Sequence, residues 1–544
     1  MSRVVLIGPN RQENLALQYL AASAQAAGHE PHILTCNSRA DIAQVTVDVT
    51  RLQPELVGIG VQFQHSIDES LLLARSLRDA GFRGHLTCGG HVATFCYAEL
   101  LRDGPFDSIV RHEGEQTLVE LLDALAAGRI AKDIAGLVWR EDVGIGMGPK
   151  RPPIRDIDSL PWPHRGQAPY LVAGVPIAFI LSSRGCTDSC SYCSISAFSR
   201  DAGGPAFRMR DPEAVANEVA HLFRDLEIRT FFVQDDLFIL GSERATVARV
   251  EALTTALRAR DVTDAAFWVK GRPDSITPAV LQALRKMGVL HVFLGVENAV
   301  DERLAYLGRS HRHEDNCRAI RLCREHGIVP SFNLMIFDPD CSLEDVARTM
   351  SFARATIDLP WNLCRTEIYS GTPLLQRLRN EGRLLGDYRS YGYRMRDPRA
   401  EIMFRVLRVA LHERAFAFDS LLNRLISLSF ARQLHERFFP GSESRHLSDE
   451  TFDLIRTVHE DTLQILHQAF AIAETPGSLD AAGTRREAVA MALSASRRDL
   501  DWYARAAQLW EYCHVRGLHL TAHSPGLVFR NPLPGGPPTG RGIG

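Results

Sequence analysis

Lysine is nearly missing from this sequence. Of 62 basic residues only four, Lys132, Lys150, Lys270 and Lys286, are lysines, and the rest are arginines. Arginine codons are GC-rich, so the skew reads as genome composition before it reads as function. No block of one charge is present either, and the formal net charge is −3. The electrostatic footprint of a nucleic-acid or membrane-surface binder is therefore lacking. No apolar run reaches the roughly 20 residues of a membrane span. The opening MSRVVLIGPNRQEN reads as a strand entering a turn, not as a basic stretch followed by an apolar leader. The expected compartment is the cytoplasm, where eleven cysteines do not read as a disulfide framework.

What is present is a long chain with clear periods. At 544 residues and 45% hydrophobic content, several cores are expected. From RVVLIG to VRHEGEQTLVELLDALAAG, apolar strands alternate with amphipathic helices, which predicts a doubly wound (Rossmann-like) α/β domain over residues 1–140. Residues 141–175 are rich in Pro, Gly and Arg and read as a linker. Over 176–386 the strands IAFILSS, TFFVQDD, AAFWVKGR, HVFLGVEN, PSFNLMIF and CRTEIYS alternate with helical patterns. Six βα units predict an open parallel barrel with its chemistry at the C-terminal strand ends. Residues 387–523 carry helical patterns only, and 524–544, rich in Pro and Gly, are expected to be disordered.

The stretch LSSRGCTDSCSYCSIS puts Cys186, Cys190 and Cys193 within eight positions, directly after the first barrel strand. A structural zinc site wants four ligands, usually in two pairs, and no second pair is near; the next cysteine is Cys317. Three thiolates can instead hold three irons of a 4Fe-4S cluster and leave the fourth open to a substrate. A zinc site completed by a distant histidine, and cysteines that simply pack, are the alternatives.

Cys186-x3-Cys190-x2-Cys193, with Tyr192 before the last cysteine, resembles the signature of radical S-adenosylmethionine enzymes. The resemblance implies that S-adenosylmethionine chelates the open iron and yields a 5′-deoxyadenosyl radical. It implies Tyr192 at the adenine, and an acid, Asp235 or Asp236 beside Gln234, at the methionyl amine. Glu297 of VFLGVEN would meet the ribose, and Lys270 and Arg272 the methionyl carboxylate; a solvated charge at a strand end is the alternative for each, and an equal one for Lys270 and Arg272. GIGVQF, CGGHVATF and VRHEGEQTL extend the resemblance to the cobalamin-binding branch of this family, over about residues 1–385. That implies a cobalamin site at Gln62, Phe63, Gly89, Gly90, His91 and Glu113, with Gly89 and Gly90 admitting the nucleotide tail. Helix capping explains Glu115 as well.

The turn after the first strand, GPNRQENLA, holds no histidine, so the resemblance implies cobalamin without a histidine lower ligand; a domain that no longer binds cobalamin is the alternative. His91 is expected to line the pocket, not to ligate cobalt. The implied activity is methyl transfer to an unactivated carbon of a small molecule or peptide, with an electron donor such as flavodoxin or ferredoxin. Radical rearrangement, cyclisation or oxidation is the second reading. Arg365 and Tyr369, ahead of the turn SGTP, either face the barrel or pack.

Overall fold

The computed structural model describes residues 1–129, 133–166, 169–172, 174–417, 419–475 and 482–517. The expected tail at 524–544 lies outside these residues.

The first sheet begins with β1 (Arg3–Gly8), α1 (Leu15–Ala26), β2 (Glu30–Thr35), α2 (Ile42–Leu52) and β3 (Leu56–Gly60). It continues through α3 (Ile67–Asp79), β4 (His85–Gly89), α4 (His91–Phe95), α5 (Tyr97–Asp103), β5 (Ser108–Val110) and α6 (Glu115–Ala126). Its order is β2-β1-β3-β4-β5, all parallel, extended by the antiparallel β6 (Leu137–Arg140) and β7 (Ile145–Met147). The strands read as apolar runs because helices cover both faces, with Val4 and Leu6 on one side and Val5 and Ile7 on the other.

β7 falls inside the stretch expected to be linker. Its residues are mostly exposed and show no apolar alternation, so the pattern hid it; Gly144, at φ 93°, makes the tight return from β6. β8 (Tyr170–Val172), in the same stretch, pairs antiparallel with β9 (Val175–Ile180).

The second sheet has the order β16-β15-β14-β13-β12-β9-β8, with six parallel strands from β9 to β16. After β9 come β10 (Ser183–Gly185), α7 (Ser194–Ala202) and β11 (Phe207–Met209), then α8 (Pro212–Asp225), β12 (Thr230–Val233), α9 (Glu243–Arg258), β13 (Ala266–Gly271) and α10 (Pro278–Met287). Next are β14 (Val289–Glu297), α11 (Asp301–Tyr306), α12 (His313–Glu325), β15 (Val329–Phe337), α13 (Leu343–Ala355) and β16 (Trp361–Arg365). The sixth strand thus begins earlier than CRTEIYS suggested. It ends at Arg365, where its partner among the described residues, β15, runs out at Phe337.

Beyond α14 (Pro373–Asn380), a short β17 (Leu384–Leu385) and β18 (Gly392–Tyr393) make a strap. Then come α15 (Pro398–Ala410), α16 (Leu421–Phe438), α17 (Ser442–Glu474) and α18 (Ala482–Gly517). The helical C-terminal region packs against the barrel in one continuous core. α16 enters the open side of the barrel: Ile426, Phe430 and Leu434 pack on Ile177, Ala266 and Trp268. Gln433 joins His291 at 2.9 Å, and His291 joins Ser331 at 2.6 Å. The lower half of the concave face is therefore filled, and only its upper half, at the C-terminal strand ends, is left open.

Candidate active site

The cysteine loop is fastened at both ends. Ser182 and Ser183 donate both backbone N–H groups and both hydroxyls to Asp235, at 2.6–3.0 Å, and Arg249 donates to the same carboxylate at 2.9 Å. This holds the chain as it leaves β9 and enters the β10–β11 hairpin, where Cys186 N–H reaches Ala206 O at 3.1 Å. At the far end Cys193 caps α7, and its N–H bonds Cys190 O at 3.2 Å. Gly308, at φ 76°, lets the turn after α11 lie against the loop; a Cβ there would sit 3.1 Å from Ser191 N. Arg309 follows, donating to Cys190 Sγ at 3.3 Å and to Gly295 O at 2.7 Å.

Burial pushes the Cys186 thiol up to about 11 and raises Cys193, and the thiols of the triplet add to each other's shift. Among the described residues no three His, Cys, Asp or Glu side chains close on a single metal ion. A zinc site in two ligand pairs would need a second pair beside the triplet, whereas three thiolates can hold three irons of a cluster.

Alternation along the strands aims one set of side chains into the concavity. Its floor is aromatic: Phe179 stacks on Phe232 at 5.1 Å, and Phe232 meets Trp268 at 4.7 Å. Above it the same faces turn polar. Lys270 donates to Gln234 at 3.1 Å, and burial lowers its pKa against the pull of Asp236. Burial raises Asp236 to about 6; it accepts from Gly185 N–H at 3.2 Å. Burial also raises Glu297, whose carboxylate accepts from the Tyr192 hydroxyl and faces Arg309. Glu297 holds φ 62°, a left-handed conformation rare for a side-chain-bearing residue, at a break in the β14–β15 register. Asp236, Lys270, Glu297 and Cys364 all touch accessible space yet lie deep among protein atoms, which describes the wall of an internal hollow.

The structure thus brings Tyr192, Asp236, Lys270 and Glu297 to the cysteine triplet. Two expected partners of the methionyl group are taken up elsewhere. Asp235 is fully buried and saturated by the Ser182–Ser183 turn and Arg249. Arg272 pairs with Asp274 and with Asp188 of the cysteine loop and bonds Ser310, so it braces that loop.

The strand ends of the first sheet face this mouth. Gln62 and Phe63 are exposed at the β3 tip. Gly90, at φ 118°, packs on β3, where a Cβ would meet Val61 O at 2.7 Å; its immediate need for glycine is this approach of backbone to backbone. Gly89 accepts from Val61 N–H at 2.7 Å. His91 packs edge-on against Phe198 of α7 at 4.5 Å, and burial pushes it down to about 4, so it lies at the domain boundary as a neutral ring. Glu113 is not open to a ligand: Arg208 binds both its oxygens at 2.8 and 3.0 Å, and Arg184 lies at 3.4 Å from it and 2.7 Å from Glu115. Carboxylates of one domain here clamp the hairpin that carries Cys186. Glu13, in the turn that lacks histidine, is also occupied: Phe179 N–H donates to it at 2.7 Å and Arg165 at 2.9 Å.

Phe63, Arg365, Glu367, Tyr369 and Tyr391 line a cavity of about 210 Å³ between the β3 tip and the end of β16. Sequence reasoning passed over Cys364 and Asn333 on the inner barrel wall. Among the described residues, Asn333 Oδ1 is buried without a partner, as is Trp268 Nε1. Their alternation with core residues on β15 and β16 was the available signal.

The model of the B12 binding domain matches residues 5–122, and that of the radical SAM superfamily matches residues 180–353. The chain belongs to the cobalamin-binding radical S-adenosylmethionine enzymes. Its cofactors are a 4Fe-4S cluster, S-adenosylmethionine and cobalamin. An uncharacterized methyltransferase of Pyrococcus horikoshii is 28% identical over 348 residues, covering 62% of this chain and 72% of that one. An anaerobic magnesium-protoporphyrin IX monomethyl ester cyclase of Rubrivivax gelatinosus is 28% identical over 381 residues, 65% of each chain. The chain therefore spans just under two thirds of the cyclase's length. The solved cobalamin-dependent S-adenosylmethionine radical enzyme OxsB, with aqua-cobalamin bound, shares the fold at a TM-score of 0.65 and 15% identity, covering 95% of this chain and 84% of that one. Among the described residues of this radical S-adenosylmethionine enzyme, no helix is long and apolar enough to cross a membrane.

Proposed function

We propose that this enzyme transfers a methyl group to an unactivated carbon of a small molecule held in the cavity between its two α/β domains. The observation that carries this reading is the meeting of Phe63, from the β3 tip, with Arg365 and Tyr369, from the end of β16, around one cavity. When bound, the cluster and S-adenosylmethionine supply a carbon radical, and cobalamin supplies the methyl group.

The residues present fit these groups. Cys186, Cys190 and Cys193 would hold three irons. Asp236, whose carboxylate accepts from Gly185 N–H through one oxygen and keeps the other open among the described residues, would take the methionyl amine, and Lys270 the carboxylate. Glu297 would take the ribose hydroxyls and Tyr192 the adenine. Gln62, Phe63 and the β4 turn at Gly89–His91 would carry the corrin side. Asp235, Arg272 and Glu113 keep the loops in place without touching these ligands. α16 closes the floor, so water is excluded from below and substrate enters from the domain boundary.

Product analysis of anaerobically reconstituted, reduced protein tests the reading. Methyl transfer yields one S-adenosylhomocysteine and one 5′-deoxyadenosine per methylated product. Turnover to 5′-deoxyadenosine without S-adenosylhomocysteine would select the second reading, cyclisation or oxidation, which the similarity to the cyclase favours. Cys186→Ala, Cys190→Ala and Cys193→Ala should each abolish cleavage of S-adenosylmethionine; cleavage at the wild-type rate would end the cluster assignment.

A further inference from the structure

Beyond β16 burial alternates along the chain. Residues 365–369 all border the cavity, but Thr366 and Ile368 are buried, at 1% and 2% exposure, while Arg365, Glu367 and Tyr369 are the more accessible side chains. The Arg365 guanidinium lies between two rings, 3.7 Å from the centroid of Tyr393 and 4.3 Å from that of Phe404. It donates to Tyr393 O, and its Nε is buried with no partner among the described residues. Among the described residues no carboxylate pairs with it. Glu367 accepts a hydrogen bond from Tyr369 and likewise has no cationic partner among the described residues.

Two opposite charges two residues apart on the wall of one cavity would ordinarily neutralise each other. The aromatic sandwich holds the guanidinium away from Glu367, and both charges remain directed at one small space. Arg389, a further cation at this cavity, is already bound by Asp103 at 2.7 Å and Asp68 at 3.3 Å.

We propose that this cavity binds a zwitterionic small molecule, a free amino acid or close relative, with Arg365 taking its carboxylate and Glu367 its ammonium group. The planar guanidinium suits a carboxylate in two parallel hydrogen bonds. The volume, about 210 Å³, lies below the roughly 300–1,000 Å³ of drug-sized ligand sites and suits a single amino acid better than a peptide. Phe63, Tyr369 and Tyr391 supply walls for an apolar side chain. The inference rests on the reading of this cavity as the substrate site and deepens it.

The test is calorimetric titration of the full-length protein, without turnover, with the standard free amino acids in turn. The tightest binder is then compared with its N-acetyl and its amide derivatives. Each cap should weaken binding about tenfold or more. Arg365→Gln should erase the penalty of the amide, and Glu367→Gln that of the N-acetyl form; a merely structural role would shift all three ligands together. No binding by any free amino acid, or capped forms binding as well as free ones, would overturn the proposal on wild-type protein alone. Amino-acid binding with these preferences but no S-adenosylhomocysteine on turnover would retire methyl transfer and keep this site. A methylated product from a substrate lacking an amine or a carboxylate would keep methyl transfer and retire this site.

Discussion

At the end of β12 two adjacent carboxylates meet opposite surroundings. Asp235 points into the core, where two serines and Arg249 saturate it, while Asp236 points into the barrel mouth beside Lys270. The sequence marked an acidic strand end but could not say which acid turned inward, because the donors to Asp235 come from other elements: the Ser182–Ser183 turn, 52–53 positions away, and Arg249 on α9. Asp235→Ala should destabilise the protein by about 3–5 kcal/mol, since Arg249 and the backbone of the Ser182–Ser183 turn lose a buried partner. Asp236→Asn should leave the denaturant midpoint nearly unchanged and weaken S-adenosylmethionine binding. The reverse pattern, measured by chemical unfolding and equilibrium binding, would show the two roles to be exchanged. The three cysteines were legible because their spacing is local. Arg309 and Glu13 were not, because each acts on a segment brought up by tertiary packing.

Among the elements, α16 decides how much of the barrel is open. Its helical period was plain in the sequence, but a period says which face is apolar and not what that face will meet. Phe430 packs at 4.8 Å on Trp268, within the barrel. Phe430→Ala should cost about 3–5 kcal/mol, read from chemical unfolding. Burial in the same region keeps two histidines neutral: His291 is pushed down to about 3, and His459, stacked 3.6 Å from Trp361, to about 4. Their unfolded pKa is near 6.5. Above that value neither state binds the proton, and this contribution to stability is complete. As the pH falls below it, the unfolded chain takes up protons that the folded one refuses. Each histidine then costs up to about 1.4 kcal/mol per pH unit until its folded pKa is reached. The denaturant midpoint of the ligand-free protein should drop between pH 7 and pH 5. A flat midpoint across that window would mean that these rings protonate in place.

On the scale of the whole molecule, strand order brings the cofactor-binding ends together. Alternating strands and helices implied two sheets with their chemistry at the C-terminal strand ends, and those ends do face each other. What the sequence withheld was the means of docking, since the Glu113–Arg208 clamp joins residues far apart in the chain. A second contact holds the other side. Ser370 Oγ lies 3.0 Å from Cys96 Sγ, and Gly371, at φ 78°, rests on the ring that ends α4, where a Cβ would come within 2.4 Å of Phe95. Gly371 connects the end of β16, with Arg365 and Tyr369, to the first domain. Gly371→Val adds both a forbidden conformation and a clash, of order 1–3 kcal/mol, at a boundary rather than in either core. Each domain should keep its iron, its cobalamin and its cleavage of S-adenosylmethionine. Methyl transfer, which needs both sites in register over one substrate, should fall by about 100-fold for a displacement of about 1 Å. The measurement is the ratio of S-adenosylhomocysteine to 5′-deoxyadenosine formed by the reconstituted variant. A ratio equal to that of the wild type, with cofactor content retained, would show that the boundary at Gly371 does not set the distance between the two cofactor sites.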